Sequence, residues 1–272
     1  MSLEQVEQLI NSQRIAPNKG LGQNFLVEPT LYPKLCSYAE LTVHDVVLDA
    51  GAGFGFLTLF LAKQCRAVIA VEKDRQVASV LREQTRNIGN VTVVEGDVLK
   101  VQLPVFNKVI ALPPYYLSSN LVTWLLGRNI DCAVLVVQKE FAQRLIAPVG
   151  SEDYSWLTVF VFQHALAEVF EEVPKVLFYP PPEVDSIILR LTPHKTKSFE
   201  IKDEACFIRL VKWLFTERNK KLSKALSPFL RSNFKFTKLE AEKLAQTLPN
   251  HDKRVRELLP KDFGAIANAL PN

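Results

Sequence analysis

Three glycines follow a short apolar run in the segment VVLDAGAGFGFLT, at Gly51, Gly53 and Gly55. Glycines at a turn from a strand into a helix let the backbone approach a ligand closely, and the start of the helix favours electron-rich groups. The spacing is G-x-G-x-G, and Phe56 stands where the dinucleotide fingerprint G-x-G-x-x-G has its last glycine. The turn therefore favours a ligand without a pyrophosphate.

Two acidic residues follow the next two apolar runs. Glu72 ends the run VIAVE, 21 residues after Gly51, where a carboxylate can accept hydrogen bonds from both hydroxyls of a ribose. Asp97 follows the third run and can accept a hydrogen bond from an adenine amino group. Each acid alone is a common surface or capping residue. Together with the glycine turn, they indicate an adenosine-bearing cofactor without phosphates, which is S-adenosyl-L-methionine.

The segment ALPPYYLSS, Ala111–Ser119, ends a fourth apolar run. Proline cannot donate a hydrogen bond to a neighbouring strand, so the two prolines indicate the end of a strand. In isolation this segment would be interpreted as a plain turn. Ligands of open α/β sheets bind at the carboxyl ends of the strands, however, and this segment lies at the same edge as the glycine turn.

Positioning these residues requires a parallel sheet. Short β-branched apolar runs, as expected of strands buried on both faces, occur at residues 46–50, 67–71, 91–95, 108–111 and 133–137. Segments with helical spacing lie between them, which predicts a doubly wound, Rossmann-like α/β fold with a mostly parallel sheet. Residues 156–173 and the segment VDSIILRL are predicted to be two longer strands that form an antiparallel edge.

The last part of the chain differs from the rest in pattern and charge. From residue 195 the pattern is wholly helical, which predicts a cofactor-binding domain at 1–194 and a helical domain at 195–272. Residues 195–272 carry 17 lysines and arginines against 9 acids, whereas residues 1–194 carry 16 against 20. A solvated helix face is the ordinary explanation of a charge run. A segment with so large an excess of basic residues, interleaved with aromatic residues, also attracts phosphates.

Composition disfavours several other classes of protein. No apolar run reaches the roughly 18 residues of a membrane span, and the N-terminus lacks an apolar signal core. A cytoplasmic protein without a membrane partner is therefore expected. The cysteines lie far apart without C-x-x-C spacing, which predicts buried thiols and no metal site. The glycine spacing and the lack of histidine near the strand ends disfavour a nicotinamide dehydrogenase.

Nine segments of the chain carry a specific resemblance. They are NKGLGQNFL, VVLDAGAGFGFLT, VEKD, EGDVL, LPPYYLSS, QKEFAQRL, GSEDYSWL, VPKVLFYPPPEVDS and FTERNKKL. In this order they resemble the ribosomal RNA adenine dimethyltransferase family, the small-subunit type first known through kasugamycin resistance. The resemblance runs over almost the whole chain. It implies a Rossmann-like class I methyltransferase sheet followed by a small all-helical C-terminal domain.

The resemblance also implies an activity and a set of site residues. Family members transfer two methyl groups to the amino nitrogen of each of two adjacent adenines near the 3′ end of small-subunit ribosomal RNA. The implied cofactor-binding residues are Asn24, Leu26, Gly51, Gly53, Glu72 and Asp97. The implied catalytic residues are Pro114, Tyr115 and Phe178, of which Tyr115 and Phe178 would stack on the two faces of the target adenine. Plain packing under the proline loop is the alternative role for Phe178.

The implied partner is the small ribosomal subunit, bound during its assembly by a monomer. Phosphates of the RNA would be contacted by the basic tail, including Arg218, Lys220 and Lys221. The N-terminal segment with Arg14 and Lys19 would fold over the cofactor and border the RNA. The related large-subunit adenine methylases share the catalytic loop, but FTERNKKL and the long basic tail favour the small-subunit type.

One position departs from the family pattern. Where the family has Asn-Leu-Pro-Tyr, this chain has Leu112-Pro113-Pro114-Tyr115. In the family mechanism, the asparagine oxygen and the proline carbonyl accept hydrogen bonds from the target amino group. The carbonyl of Pro114 can still serve, whereas the Leu112 side chain offers no acceptor. The alternative to the enzyme is therefore a weak or inactive ribosome-assembly factor with the same fold.

Overall fold

The computed structural model describes residues 3–13 and 15–271, and the backbone alone of Lys19. Within this part of the chain, two compact units form. The sheet unit comprises the residues up to Ala142 together with Leu166–Pro193, and the helical unit comprises Gln143–Ala165 together with the residues from His194 onward.

The described strands form two sheets. The strands are β1 Phe25–Leu26, β2 Val46–Ala50, β3 Ala67–Glu72, β4 Val91–Glu95, β5 Lys108–Ala111, β6 Cys132–Gln138, β7 Ala165–Val173, β8 Phe178–Tyr179 and β9 Ser186–Pro193. The larger sheet has the order β4-β3-β2-β5-β6-β9-β7, and β1 pairs with β8 in a small antiparallel sheet. The five neighbouring strands β4, β3, β2, β5 and β6 are parallel to one another. Strand β9 is antiparallel to β6. The predicted fold, a mostly parallel sheet with an antiparallel edge, is confirmed.

Helices connect the strands and make up most of the last quarter of the chain. They are α1 Leu3–Gln13, α2 Leu31–Tyr38, α3 Phe56–Leu61, α4 Arg75–Thr85, α5 Ser118–Leu126, α6 Lys139–Leu145, α7 Trp156–His164, α8 Glu204–Thr216, α9 Leu222–Phe234, α10 Lys238–Thr247 and α11 Pro260–Asn268. Among the described residues, no helix combines the length and the apolar character that crossing a membrane requires.

The five predicted parallel strands lie where the apolar runs predicted them. Strands β2, β3, β5 and β6 are almost wholly buried because helices cover both faces of a parallel sheet. Strand β4 lies at the edge of the sheet and is only partly buried. Because β2, β3, β4 and β5 are parallel, their carboxyl ends all lie on the same side of the sheet.

The prediction of one long strand over residues 156–173 is wrong for its first half. Residues Trp156–His164 form helix α7, and strand β7 begins only at Ala165. The helix is apolar on nearly every side and mostly buried, and its exposed residue Phe162 is apolar as well, so it lacks the one-sided pattern that usually identifies a helix. A capping box between Ser155 and Thr158, in which the Ser155 N–H donates to Thr158 Oγ1 over 3.1 Å, fixes its start.

The helical unit has a core of its own. Its largest fully buried side chains are Tyr154, Phe207, Phe229 and Phe263. Helices α8, α9 and α10 lie within residues 195–272, for which the sequence predicted a helical pattern. Of the four cysteines, which are all free, three are buried and Cys36 is partly buried.

Candidate active site

The glycine turn lies at the carboxyl end of β2, in the middle of the larger sheet. Gly51 has a φ of 83°, and its N–H donates to the carbonyl of Val71 over 2.9 Å. A Cβ added at Gly51 would lie 3.0 Å from Cδ of Pro114. Both the dihedral angle and this close approach require glycine. The LPPYY segment therefore lies directly against the glycine turn.

Glu72 ends β3 and shapes the same turn. Glu72 is only 8% exposed, and its Oε2 accepts a hydrogen bond from the N–H of Gly53 over 2.9 Å. Oε1 accepts a second bond from the N–H of Asp74 over 2.8 Å. Burial raises the pKa of Glu72, and the backbone donors oppose that effect. Each carboxylate oxygen has about two acceptor sites, so acceptor capacity remains for a ligand.

Asp97 follows β4, the strand next to β3. Its Oδ1 accepts a hydrogen bond from the N–H of Leu99 over 3.1 Å, and its Oδ2 lies 3.3 Å from Nζ of Lys73. The Lys73 side chain is 49% exposed, and an ion pair of this kind contributes little to stability. Lys73 can therefore move away from Asp97 when a ligand approaches.

The predicted cofactor and target residues come together in the sheet unit. One cleft is lined by the predicted residues Asn24, Leu26, Gly51, Gly53, Glu72, Pro114, Tyr115 and Phe178, and by Leu112. An adjoining pocket is lined by Asp97 and shares Gly51, Glu72 and Pro114 with the cleft. The two cavities share these lining residues, and together they make up the candidate site from the glycine turn to Asp97.

The small sheet of β1 and β8 brings two distant segments to the cleft. Leu26 and Phe178 are register partners, so residues 152 positions apart in the chain lie side by side. The Asn24 side-chain nitrogen donates to the carbonyl of Gly22 over 3.2 Å. Phe178 is only 4% exposed and packs in the main core of the sheet unit while it also lines the cleft. This position is compatible with packing and with contact to a ligand.

The N-terminal segment GLGQN borders the cleft. Gln23 Nε2 donates to Oδ2 of Asp74 over 3.1 Å, and the N–H of Asn18 donates to Gln23 Oε1 over 2.7 Å. These bonds tie the segment to the connection between β3 and α4. Arg14 lies outside the described residues, as does the side chain of Lys19, so their predicted place beside the RNA stays a prediction.

Tyr115 is held in place by its hydroxyl. The Tyr115 hydroxyl and Oγ of Ser186, a fully buried residue at the start of β9, lie 2.6 Å apart. Burial raises the pKa of Tyr115, so the phenol is neutral at physiological pH. The bond anchors one end of the ring, and the ring itself lines the cleft.

Pro114 and Leu112 present different groups to the cleft. The carbonyl of Pro114 accepts a hydrogen bond from the N–H of Leu117 over 2.9 Å. A carbonyl oxygen has two lone pairs, so a second donor such as an amino group can still bind there. The Leu112 side chain is partly buried against the core of the sheet unit. It fills the position of the missing asparagine with a hydrocarbon.

Asp49 lines the cleft although it was not among the predicted site residues. It lies in β2, is 1% exposed, and its Oδ2 accepts a hydrogen bond from Thr58 Oγ1 over 2.7 Å. Burial raises the pKa of Asp49 to about 7, and the nearby charge of Glu72 adds to the effect. A carboxyl group within an otherwise apolar strand is costly to bury. A lone aspartate in the apolar run VVLDA was therefore a signal by which Asp49 could have been identified as a site residue.

Asp49→Asn is expected to stabilise the protein at pH 8, on the order of 2–4 kcal/mol, and to have little effect below pH 4. In the unfolded chain the carboxyl titrates near 3.8, whereas in the folded protein it titrates near 7. The folded state therefore binds more protons between these values, and wild-type stability falls as pH rises through them. Asparagine cannot ionise and keeps an acceptor for Thr58. Urea unfolding at pH 4, 6 and 8 measures the difference, and a difference that does not grow with pH would contradict this assignment.

The groups in the cleft fit S-adenosylmethionine. Glu72 offers a buried carboxylate suited to ribose hydroxyls, and Asp97 offers an acceptor suited to an adenine amino group. The space beside Gly51 would be filled by any Cβ. Within the part of the chain that the structure describes, no cluster of histidine, cysteine or acidic residues could hold a metal ion.

The predicted RNA contacts lie between α8 and α9 in the helical unit. The Arg218 guanidinium donates to the two carbonyls of residues 151–152, over 2.7 and 2.5 Å. Lys220 Nζ lies 2.8 Å from a carboxylate oxygen of Glu217. Lys221 is exposed and forms no ion pair within the described residues. Of the three, Lys221 is therefore the most available to an outside phosphate.

Sequence comparisons identify relatives over nearly the full chain. A family model described as ribosomal RNA adenine dimethylase matches residues 15–259. The chain is 37% identical over 250 residues to a probable ribosomal RNA small subunit methyltransferase A of Methanosarcina acetivorans, covering 91% of each chain. It is also 37% identical over 264 residues to a protein of the same name from Thermococcus kodakarensis, covering 96% of this chain and 93% of that protein.

Solved structures show the same similarity in three dimensions. A dimethyladenosine transferase from Plasmodium falciparum aligns with a TM-score of 0.77 and 29% identity, covering 89% of this chain and 95% of that one. The 23S rRNA methyltransferase ErmE aligns with a TM-score of 0.63 and 29% identity, covering 91% of this chain and 99% of that one. The resemblance found in the sequence is thus confirmed, and the chain belongs to the ribosomal RNA adenine dimethylase family.

Proposed function

We propose that this protein transfers two methyl groups from S-adenosylmethionine to the amino nitrogen of each of two adjacent adenines near the 3′ end of small-subunit ribosomal RNA. The observation that carries the proposal is the direct approach of the LPPYY segment to the glycine turn, with Pro114 against Gly51. A cofactor loop and a target loop in contact are what a direct transfer of a small group requires. The reaction would take place during assembly of the subunit, in the cytoplasm, with the protein acting as a monomer.

The cofactor would be held by residues of the cleft and the adjoining pocket. Glu72 would bind the ribose hydroxyls and Asp97 the adenine amino group, while the backbone at Gly51 and Gly53 borders the remainder. Asn24 and Leu26 would close the site from the N-terminal side. When bound, S-adenosylmethionine supplies an electrophilic methyl group.

The target adenine would be held by Pro114, Tyr115 and Phe178. An amino group on an adenine ring is a poor nucleophile because its lone pair is delocalised into the ring. The free acceptor site on the Pro114 carbonyl would orient the amino group. Tyr115, anchored through Ser186, and Phe178 would stack on the base once it leaves its RNA stack. Each transfer would break the bond between the methyl group and the cofactor sulfur, form a bond from that methyl group to the nitrogen, leave S-adenosylhomocysteine and release one proton.

Leu112 favours a second candidate function. Losing one preorganised polar contact to a reacting group typically costs on the order of 10²–10³ in rate. Positioning alone would leave slow catalysis, or transfer that stops at one methyl group. The second candidate is therefore a ribosome-assembly or RNA-binding factor that keeps the fold and the cofactor site without catalysing methyl transfer.

A methyl-transfer assay distinguishes the two candidates. Unmethylated small subunits are incubated with the protein and labelled S-adenosylmethionine, and the RNA is digested with nuclease for mass analysis of the adenosines. Dimethyladenosine in small subunits supports the enzyme, and large subunits serve as the matched control. Binding of cofactor and subunits without any transfer would overturn the enzyme proposal in favour of the assembly factor.

Ribosomal RNA would be bound by exposed cations of the helical unit. Two segments lie antiparallel there, with the N–H of Leu222 donating to the carbonyl of Lys253 over 2.8 Å and the N–H of Val255 donating to that of Lys220 over 3.0 Å. The pairing brings Lys253 and Arg254 beside Lys220 and Lys221. Arg218 would support this surface through its bonds to the 151–152 loop.

Lys221→Gln is expected to reduce the slope of log affinity against log salt for a small-subunit RNA fragment by about 1, because one phosphate contact is lost. Binding is measured at four salt concentrations with catalysis prevented by omitting the cofactor. Lys63→Gln, which removes an exposed cation from the sheet unit, is the matched control and should leave the slope unchanged. Equal slopes for the wild type and Lys221→Gln would place the RNA on another surface.

A further inference from the structure

Tyr116 differs from its neighbour Tyr115 in exposure and in the surroundings of its hydroxyl, although both line the main cleft. The Tyr115 hydroxyl is anchored on Ser186, and Tyr115 is only partly exposed. Tyr116 is 54% exposed, and its hydroxyl makes no hydrogen bond within the described residues. A large aromatic ring left this accessible beside a ligand site is available to stack on a planar group.

Tyr116 lies where the two cavities of the site meet. It lines both the main cleft and the adjoining pocket. The other residues common to both cavities are Gly51, Glu72, Lys73 and Pro114. The ring is therefore at the junction between the glycine turn and Asp97. Glu72, the residue suited to a ribose, lies at the same junction.

The ring is also supported from the N-terminal segment. A Cβ added at Gly22 would lie 3.5 Å from Cδ1 and 3.8 Å from Cε1 of Tyr116. The ring edge thus packs against the Gly22 backbone, which has a φ of 60° and presents no side chain. Tyr116 consequently packs the segment after β5 against the GLGQN segment. It lines both cavities together with Glu72, and the adjoining pocket together with Asp97.

We propose that Tyr116 is a binding residue that stacks on the adenosine of S-adenosylmethionine. This inference rests on the proposed function and adds a residue for which no role was predicted. An exposed tyrosine within the target loop can also stack on an RNA base. The shared lining with Glu72 and Asp97 favours the adenosine, because these are the acids suited to a ribose and an adenine.

Tyr116→Ala is expected to weaken binding of S-adenosylmethionine about tenfold, in the range that one stacked base typically contributes. S-adenosylhomocysteine and methylthioadenosine should lose affinity by a similar factor, because the adenosine is common to all three. Tyr116→Phe keeps the ring and should bind like the wild type. Isothermal titration calorimetry without RNA gives the dissociation constants, and urea unfolding shows that each variant is folded.

Several results would overturn the inference. Unchanged affinity of Tyr116→Ala for all three ligands would exclude the stacking contact, and a loss of RNA affinity in its place would assign the ring to an RNA base. If the wild type binds S-adenosylmethionine and only the variant test fails, the proposed function stands. If the wild type binds none of the three ligands, the proposed function fails together with this inference.

Discussion

Leu112→Asn is expected to raise the single-turnover rate of methyl transfer by about 10²-fold, the amount that one preorganised polar contact to a reacting group typically contributes. Leu112 lines the cleft together with Pro114 and Tyr115, and its side chain offers no hydrogen-bond acceptor. Asparagine would add a side-chain oxygen that accepts a hydrogen bond from the target amino group. With the Pro114 carbonyl as the second acceptor, the nitrogen lone pair would be held in one orientation. Transfer of labelled methyl groups to unmethylated small subunits, with protein in excess, measures the rate.

Leu112→Ala is the matched control for this experiment. It removes the same hydrocarbon from the partly buried position and adds no acceptor. Its rate should not exceed that of the wild type, and it should be somewhat less stable because packing is lost. The affinity of both variants for S-adenosylmethionine should stay close to that of the wild type. If asparagine leaves the rate unchanged, the Pro114 carbonyl and positioning are enough, and the missing acceptor at Leu112 does not limit methyl transfer.

The parallel strands could be predicted because each is an unbroken apolar run of a length typical of strands. Helix α7 could not, because its apolar residues surround it on all sides. In such a segment the helical and extended periods leave the same pattern. The decisive signal was local, in the side chains of Ser155 and Thr158 at its start. At α7 the capping residues therefore distinguish the helix from a strand better than hydrophobicity does.

The residue types of the candidate site could be predicted, whereas most of its contacts could not. Strand ends in a parallel sheet meet at one edge, so Gly51, Glu72 and Pro114 were expected to lie together. The bond between Tyr115 and Ser186 depends on the antiparallel strand β9, which enters the sheet next to β6. The bonds from Arg218 to the 151–152 loop depend on two distant segments of the chain that meet in the helical unit. Contacts of this range carry no local sequence signal.

Glu72→Gln is expected to weaken binding of S-adenosylmethionine by at least about 10²-fold. The carboxylate accepts hydrogen bonds from the N–H groups of Gly53 and Asp74 and has acceptor sites left for two ribose hydroxyls. A glutamine amide has one oxygen, so its nitrogen must face one of these backbone donors or the ribose. Hydrogen bonds to a charged group contribute about 1.5–3 kcal/mol each. Loss of two such bonds amounts to about 10²-fold or more in affinity.

Glu95 provides the matched control for Glu72. It ends β4 as the register partner of Glu72, and its carboxylate pairs with Arg82 over 2.8 Å instead of lining the cleft. Glu95→Gln should therefore bind S-adenosylmethionine like the wild type in isothermal titration calorimetry. Burial raises the pKa of Glu72, so a neutral amide removes the cost of a buried charge, and urea unfolding of both variants checks that a loss of binding is not caused by unfolding. Equal affinities of the two variants would mean that the ribose is not held at the end of β3, and the cofactor site would have to be sought elsewhere in the sheet unit.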